Sequence, residues 1–162
     1  MFKSWKSRAA GFAIAATMAV PVFGLASSAS AAQGGTNVPI QGSGSAVETI
    51  FGGDGLCPEG LGSSVVGTEH LSHLGLSTFS TVGCLLGTSS TTATTAANGD
   101  QLFDSVGSTV SNGSTFTGTL AFTGGTGRFV GASGTATISG TIVPLSVNTL
   151  ALTFSLTGTI SY

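Results

Sequence analysis

Residues 124–134 read Gly124-Gly125-Thr126-Gly127-Arg128-Phe129-Val130-Gly131-Ala132-Ser133-Gly134, and what this stretch is decides the fold. A dinucleotide-binding loop needs a strand before it and a helix after it, because the helix N-terminus supplies the N–H donors that hold the pyrophosphate. The upstream half qualifies. Phe116, Gly118, Leu120 and Phe122 share one face, and Thr115, Thr117, Thr119 and Thr123 share the other, as in a half-buried strand. The downstream half does not. Thr135-Ala136-Thr137-Ile138-Ser139-Gly140-Thr141-Ile142 alternates again and is rich in β-branched residues, which makes it a second strand. The glycine after Gly127 comes four positions on, at Gly131, where a dehydrogenase loop places it three positions on, and too little chain follows for a Rossmann half. The stretch therefore reads as a tight link between two strands, its glycines supplying positive φ and close backbone approach.

Working outward from that link, the same period-two pattern recurs. Candidate strands are 46–51, 63–70, 75–86, 88–97, 101–110, 115–123, 134–143 and 148–161. Between them lie turn signals such as Gly52-Gly53-Asp54-Gly55, Asn98-Gly99-Asp100 and Ser111-Asn112-Gly113-Ser114. The last strand is the clearest, with Leu150, Leu152, Phe154, Leu156, Ile160 and Tyr162 on one side and Thr153, Ser155, Thr157, Thr159 and Ser161 on the other. No window carries a capped apolar stripe of helical period. Gly118, Gly140 and Gly158 each fall on the apolar face of a Thr/Ser-Gly-Thr repeat, where a missing side chain lets strands coil inward. The pattern predicts an all-β fold: a closed, antiparallel, up-and-down barrel of about eight strands.

Residues 1–32 read as a secretory signal. Lys3, Lys6 and Arg8 form its basic start, residues 9–26 an apolar stretch, and Ala29-Ser30-Ala31-Ala32 a small-residue cleavage site. Residues 33–45 read as a flexible N-terminal segment or a loose first strand, and 46–162 as a single β-barrel domain. Beyond the signal the chain keeps one cation, Arg128, against Glu48, Asp54, Glu59, Glu69, Asp100 and Asp104, so one minus six gives a net charge of −5. A surface without a basic patch has nothing to hold nucleic acid or anionic lipid, so neither is an expected partner once the signal is cleaved. Cys57 and Cys84 are the two cysteines. In a secreted chain the pair reads first as a disulfide, worth roughly 3 kcal/mol in the chain-entropy model, and otherwise as a redox or metal pair, although its spacing matches no CxxC or zinc motif.

The link and two further stretches carry a family resemblance. Gly-Gly-Thr-Gly-Arg-Phe-x-Gly-Ala-Ser-Gly resembles the corresponding loop of the allene oxide cyclase and dirigent superfamily, in particular its small secreted bacterial members. Ser72-His73-Leu74-Gly75, leading into Leu76-Ser77-Thr78-Phe79, and Ala96-Ala97-Asn98-Gly99-Asp100-Gln101-Leu102-Phe103 are similar to those relatives in the same order. The resemblance covers roughly residues 63–142. It implies an eight-stranded barrel with an apolar interior, a reactive apolar small molecule steered mainly by shape, and self-association as a dimer or trimer. None of the plant enzymes' catalytic residues maps onto this chain. Gly124, Gly125, Gly127, Arg128, Phe129, Gly131 and Gly134, together with Asn98, Gly99, Asp100 and His73, are a structural motif in this reading.

Chemistry is sparse. Glu69-His70-x-x-His73 is the one histidine cluster; on a strand, residues three apart point to opposite faces, so no metal site is expected. Arg128, a lone cation among acids, is expected to pair with Asp100 or Asp104 near one barrel mouth, or else to grip a ligand carboxylate. If that pair is buried, losing one partner costs on the order of 3–5 kcal/mol. No nucleophile elbow is present, and beyond the signal there is no lysine or tryptophan. Glu48 and Glu69, on early strands, are the acids expected to face a cavity, with Phe116, Phe122 and Phe154 as its lining. No cofactor is implied. Two functions follow: a secreted barrel that binds, and in one form cyclises, a small apolar ligand, or a non-catalytic extracellular surface-layer protein using its Ser/Thr face. The first requires a cavity and the second a filled core.

Overall fold

The computed structural model describes residues 34–52, 57, 60–84 and 90–162; the segment read as a signal lies outside them. Eight strands run β1 (Val38–Gly52), β2 (Leu61–Leu71), β3 (Gly75–Cys84), β4 (Ser90–Ala96), β5 (Gln101–Ser111), β6 (Thr115–Gly125), β7 (Ser133–Pro144) and β8 (Thr149–Ser161). Each pairs antiparallel with its neighbour in sequence, and β1 closes onto β8 from Val38↔Ile160 to Thr49↔Thr149. The fold is an all-β, up-and-down closed barrel, with one 3₁₀ turn at Gly127–Phe129 among the described residues.

The first strand begins earlier than a flexible segment to residue 45 allows. Residues 38–45 are the first half of β1, paired to β8 and, from Gly42↔Leu71 onward, to β2. Its inward side reads Val38, Ile40, Gly42, Gly44, Ala46, and two successive glycines there erase the apolar half of the alternation. Gly44 is small for a reason: a Cβ would run into the Phe154 ring and the Thr68 carbonyl. Gly140 similarly leaves room for the Phe116 ring.

The two barrel ends differ. At one end lie the β2–β3, β4–β5 and β6–β7 connections and the start of β1. There Phe129, Ile40, Leu102 and Ile160 are essentially without solvent contact and pack with Leu71, Leu74, Ala96 and Ala132. Each such side chain contributes about 1.5–3 kcal/mol of burial. Phe129 is delivered by the 3₁₀ turn, with its ring 5.0 Å from that of Tyr162. The glycine-rich link thus closes this end like a plug. At the other end lie the remaining hairpin connections, and the disulfide Cys57–Cys84, with Cα atoms 5.3 Å apart, ties the β1–β2 connection to the last residue of β3.

Candidate functional site

Between the plug and the disulfide end the interior is not filled: a cavity of about 140 Å³ remains. Its two sides differ in chemistry. Strands β6, β7 and β8 supply Phe116, Leu120, Phe122, Ile138, Leu152, Phe154 and Leu156, and β1 adds Ala46. Strands β2 to β5 supply Glu69, Thr81, Thr92, Thr94, Asp104 and Thr109 among Val65, Leu71, Phe79, Leu102 and Val106. Phe79 and Phe154 meet edge to face at 5.6 Å, joining the two sides.

The polar side is a hydroxyl network around two carboxyls. Thr92 and Thr94 are two apart on β4, so both point inward. Thr94 Oγ1 donates to Glu69 Oε1 at 3.0 Å. Thr92 stands directly opposite Asp104 across the β4–β5 pair, bonds its carboxyl, and shares a 3.0 Å hydroxyl contact with Thr81. Both acids are more than nine-tenths buried, and Asp104 Oδ1 has no hydrogen-bond partner. Burial raises the Glu69 pKa to about 7, with the Thr94 hydrogen bond opposing and the nearby Asp104 charge adding to the rise. Burial likewise raises Asp104 to about 7, against a hydrogen bond from Thr92. No lysine, arginine or histidine is among the described residues that line the cavity to neutralise them. The register shifts on either side of residues 104–106 in β5 are the kind of bulge that re-aims side chains beside a site.

The structure brings four of the five lining residues read from sequence to this cavity: Glu69, Phe116, Phe122 and Phe154. Glu48 is the exception. It is half-buried on the inward side of β1, paired with Val65 and Leu150, but does not line the cavity. Asp104 is the functional candidate that sequence reasoning passed over as a salt-bridge partner. Its signal was Leu102-x-Asp104-x-Val106, an acid at an inward position between two apolar ones.

The motif residues are placed at the plugged end. Asp100 N donates to Asn98 Oδ1 at 3.1 Å, Asn98 Nδ2 donates to Asp100 Oδ2 at 2.9 Å, and Gly99 takes φ 88° in the turn. Arg128 Nε lies 3.5 Å from Asp100 Oδ2, so Asp100 rather than Asp104 is its partner. Both side chains are a fifth or more exposed, which removes the large cost attached to a buried pair. Arg128 also lies over the Phe129 ring at 4.9 Å and does not line the cavity, so it is not placed to grip a ligand there. Gly124, Gly127, Gly131 and Gly134 all have positive φ, while Gly125 lies against Phe129, where a Cβ would collide. His73, at φ 73° in the β2–β3 turn, makes a 2.9 Å hydrogen bond between its Nε2 and the Pro39 carbonyl and meets the Tyr162 ring at 5.9 Å. His70 is exposed on β2, and no group of three or more potential metal ligands occurs among the described residues.

No protein-family model, curated protein or solved structure matches the chain.

Proposed function

We propose that this protein is a secreted barrel that binds one small, mainly apolar molecule in its interior, the ligand's polar end directed at Glu69 and Asp104. The observation that carries this is the two-sided cavity. A barrel interior selected for stability alone is filled with apolar side chains, whereas here two carboxyls sit at an unfilled space, at a desolvation cost. Apolar cavities of roughly 150 Å³ hold a benzene-sized molecule, and drug-sized ligands need about 300 Å³ or more. The ligand is therefore of single-ring size. Shape-directed cyclisation and dimer or trimer formation, which the resemblance to allene oxide cyclase and dirigent proteins implies, belong to the same reading. A disulfide is in keeping with an oxidising, extracellular setting. Outward positions of β6, β7 and β8 are mostly threonine and serine, unlike the apolar band of a lipid-facing barrel. Calorimetric titration with benzene, phenol and indole tests the proposal. One-to-one binding of the single rings, weaker for indole, is expected; no binding of any of them overturns it.

A second reading rests on the exterior. Thr115, Thr141, Thr153, Ser45, Thr68, Thr78 and Thr95 form one cross-strand row around the barrel, with Thr141 and Thr153 hydroxyls 2.6 Å apart. Such an uncharged hydroxyl face suits a surface-layer protein. This reading predicts concentration-dependent assembly that Thr141→Lys with Thr153→Lys abolishes. A protein that sediments as one small species at all concentrations contradicts it.

A further inference from the structure

We propose that Glu69 and Asp104 form an acid–base pair that interconverts the keto and enol forms of a small apolar carbonyl compound held between the two sides of the cavity. This rests on the ligand-binding reading above and names the chemistry of that site.

One carboxyl oxygen at the cavity has no hydrogen-bond partner. Asp104 lines the cavity, and its Oδ1 is buried and accepts no hydrogen bond, while unpaired buried polar atoms are rare in folded proteins. Its environment leaves it free to accept a proton from something that enters the cavity. Burial also makes a carboxylate more basic than one in water. Glu69 is held in a similar way: its Oε1 accepts from Thr94, as the Asp104 carboxyl accepts from Thr92, which fixes the Glu69 carboxyl and leaves its second oxygen to carry a proton. The nearby Asp104 charge adds to the tendency of Glu69 to hold that proton. One base and one acid thus face the same small space.

Among the described residues, other ionisable groups are kept away. On β3 and β4 the groups packed around the pair are hydroxyls: Ser77, Thr81, Thr92 and Thr94. Glu48 on β1 lies outside the cavity lining, His70 is exposed on β2, and Asp100, Arg128, His73 and Tyr162 belong to the plugged end. Two buried acids whose pKa values burial raises toward neutrality, with no cation among the described residues that line the cavity, suit proton transfer rather than ionic ligand binding.

The step balances. The C–H bond next to the carbonyl breaks, its proton bonds to Asp104 Oδ1, and the electron pair moves into a carbon–carbon double bond. The carbonyl oxygen, now an enol oxygen, takes the proton from Glu69. The pair ends with the acid and base exchanged and no change in total charge, and reversal restores it. Neither oxidant nor reductant is consumed. The apolar side holds the ring, and the cavity volume limits the compound to about a single ring.

The test is deuterium exchange into the ring positions beside the carbonyl of cyclopentanone, followed by proton NMR in D₂O with the full chain. Binding is read independently by saturation transfer, with benzene as a second probe. Exchange about 100-fold or more above buffer is expected, with a bell-shaped pH profile centred near neutrality. Asp104→Asn should abolish exchange while benzene still binds; Glu69→Gln should slow exchange and remove the alkaline limb of the pH profile, which a merely structural role would not do. Cyclopentanone bound but exchanging at the buffer rate overturns the proposal, and so does acceleration that persists in both variants. Benzene bound with cyclopentanone excluded overturns this proposal and leaves the ligand cavity standing. Failure of both probes to bind overturns both.

Discussion

Thr94 on β4 donates a 3.0 Å hydrogen bond to Glu69 on β2, reaching past the whole of β3. The reach is allowed because the residue of β3 paired with Glu69 is Ser77, small enough to let the carboxyl lean over it, and its hydroxyl bonds the Glu69 carbonyl at 3.3 Å. The contact holds the carboxyl within the barrel, over the same stretch of β4 from which Thr92 bonds Asp104. The polar side of the cavity is thus organised by one short, threonine-rich strand.

The first consequence is a stability that falls as pH rises. Both acids bind protons more tightly in the folded than in the unfolded chain, their values moving from 4.5 and 3.8 to about 7. Stability is therefore greatest below about pH 4, declines as pH increases to about 7, and is level above that, each group contributing on the order of 3 kcal/mol to the decline. Thermal unfolding across pH 4–8 checks this. Glu69→Gln and Asp104→Asn should each flatten the profile and raise the melting temperature at pH 8. A melting temperature that instead rises from pH 4 to 8 contradicts the assignment of two buried, uncompensated acids.

The plug makes a second prediction. Phe129 has no solvent exposure and packs against Tyr162, Leu102 and their neighbours at the closed end. Phe129→Ala should cost about 3–5 kcal/mol in denaturant unfolding. A loss below 1 kcal/mol would show that the link does not close the barrel.

Within the same link, the neighbouring glycine should matter more than the charge. Arg128 and Asp100 are partly exposed at 3.5 Å, so Arg128→Ala should cost about 1 kcal/mol or less. Gly127 sits at φ 56°, and a Cβ there would strike the Asp100 carboxyl, so Gly127→Ala should cost roughly 1–2 kcal/mol for the backbone alone, and more with the clash. The reverse ranking in chemical denaturation would assign the link's importance to its cation.

Removing the disulfide should loosen the other end. Cys57→Ser with Cys84→Ser is expected to lower stability by roughly 3 kcal/mol while leaving the plug contacts intact. Hydrogen exchange separates the two ends: amides of Gly62 and Gly83 should lose protection and those of Leu102 and Ile160 should keep it. Uniform loss throughout would mean the two ends do not unfold separately.

Much of the barrel was readable because outward threonines and serines alternate with inward apolar residues in β6, β7 and β8, with only the glycines Gly118, Gly140 and Gly158 between the large inward side chains. The start of β1 was hidden where the inward positions are Gly42 and Gly44, since a residue chosen for the space it leaves carries no hydropathy signal. Glu69 and the three phenylalanines could be placed by alternation alone. The β4 threonines could not. Ser-Thr-Thr-Ala-Thr-Thr-Ala places threonine on both faces of β4, so its inward hydroxyls resemble its outward ones. Asp104 keeps the inward alternation of Leu102-x-Asp104-x-Val106 and was passed over because an acid opposite a lone cation reads as its ion-pair partner. Arg128 drew attention as a lone charge, yet its place is the rim of the plug, and the buried acids further along the barrel were the less conspicuous and more consequential groups.

The central claim is that the interior is a ligand-sized cavity with an acid pair on one side. Crystals soaked with benzene or pressurised with xenon test it most directly. Electron density for one guest bounded by Phe116, Phe154, Glu69 and Asp104 is expected, with the surrounding side chains unmoved. An interior that takes up neither guest, with Phe79, Phe116 and Phe154 packed into the space, would contradict it.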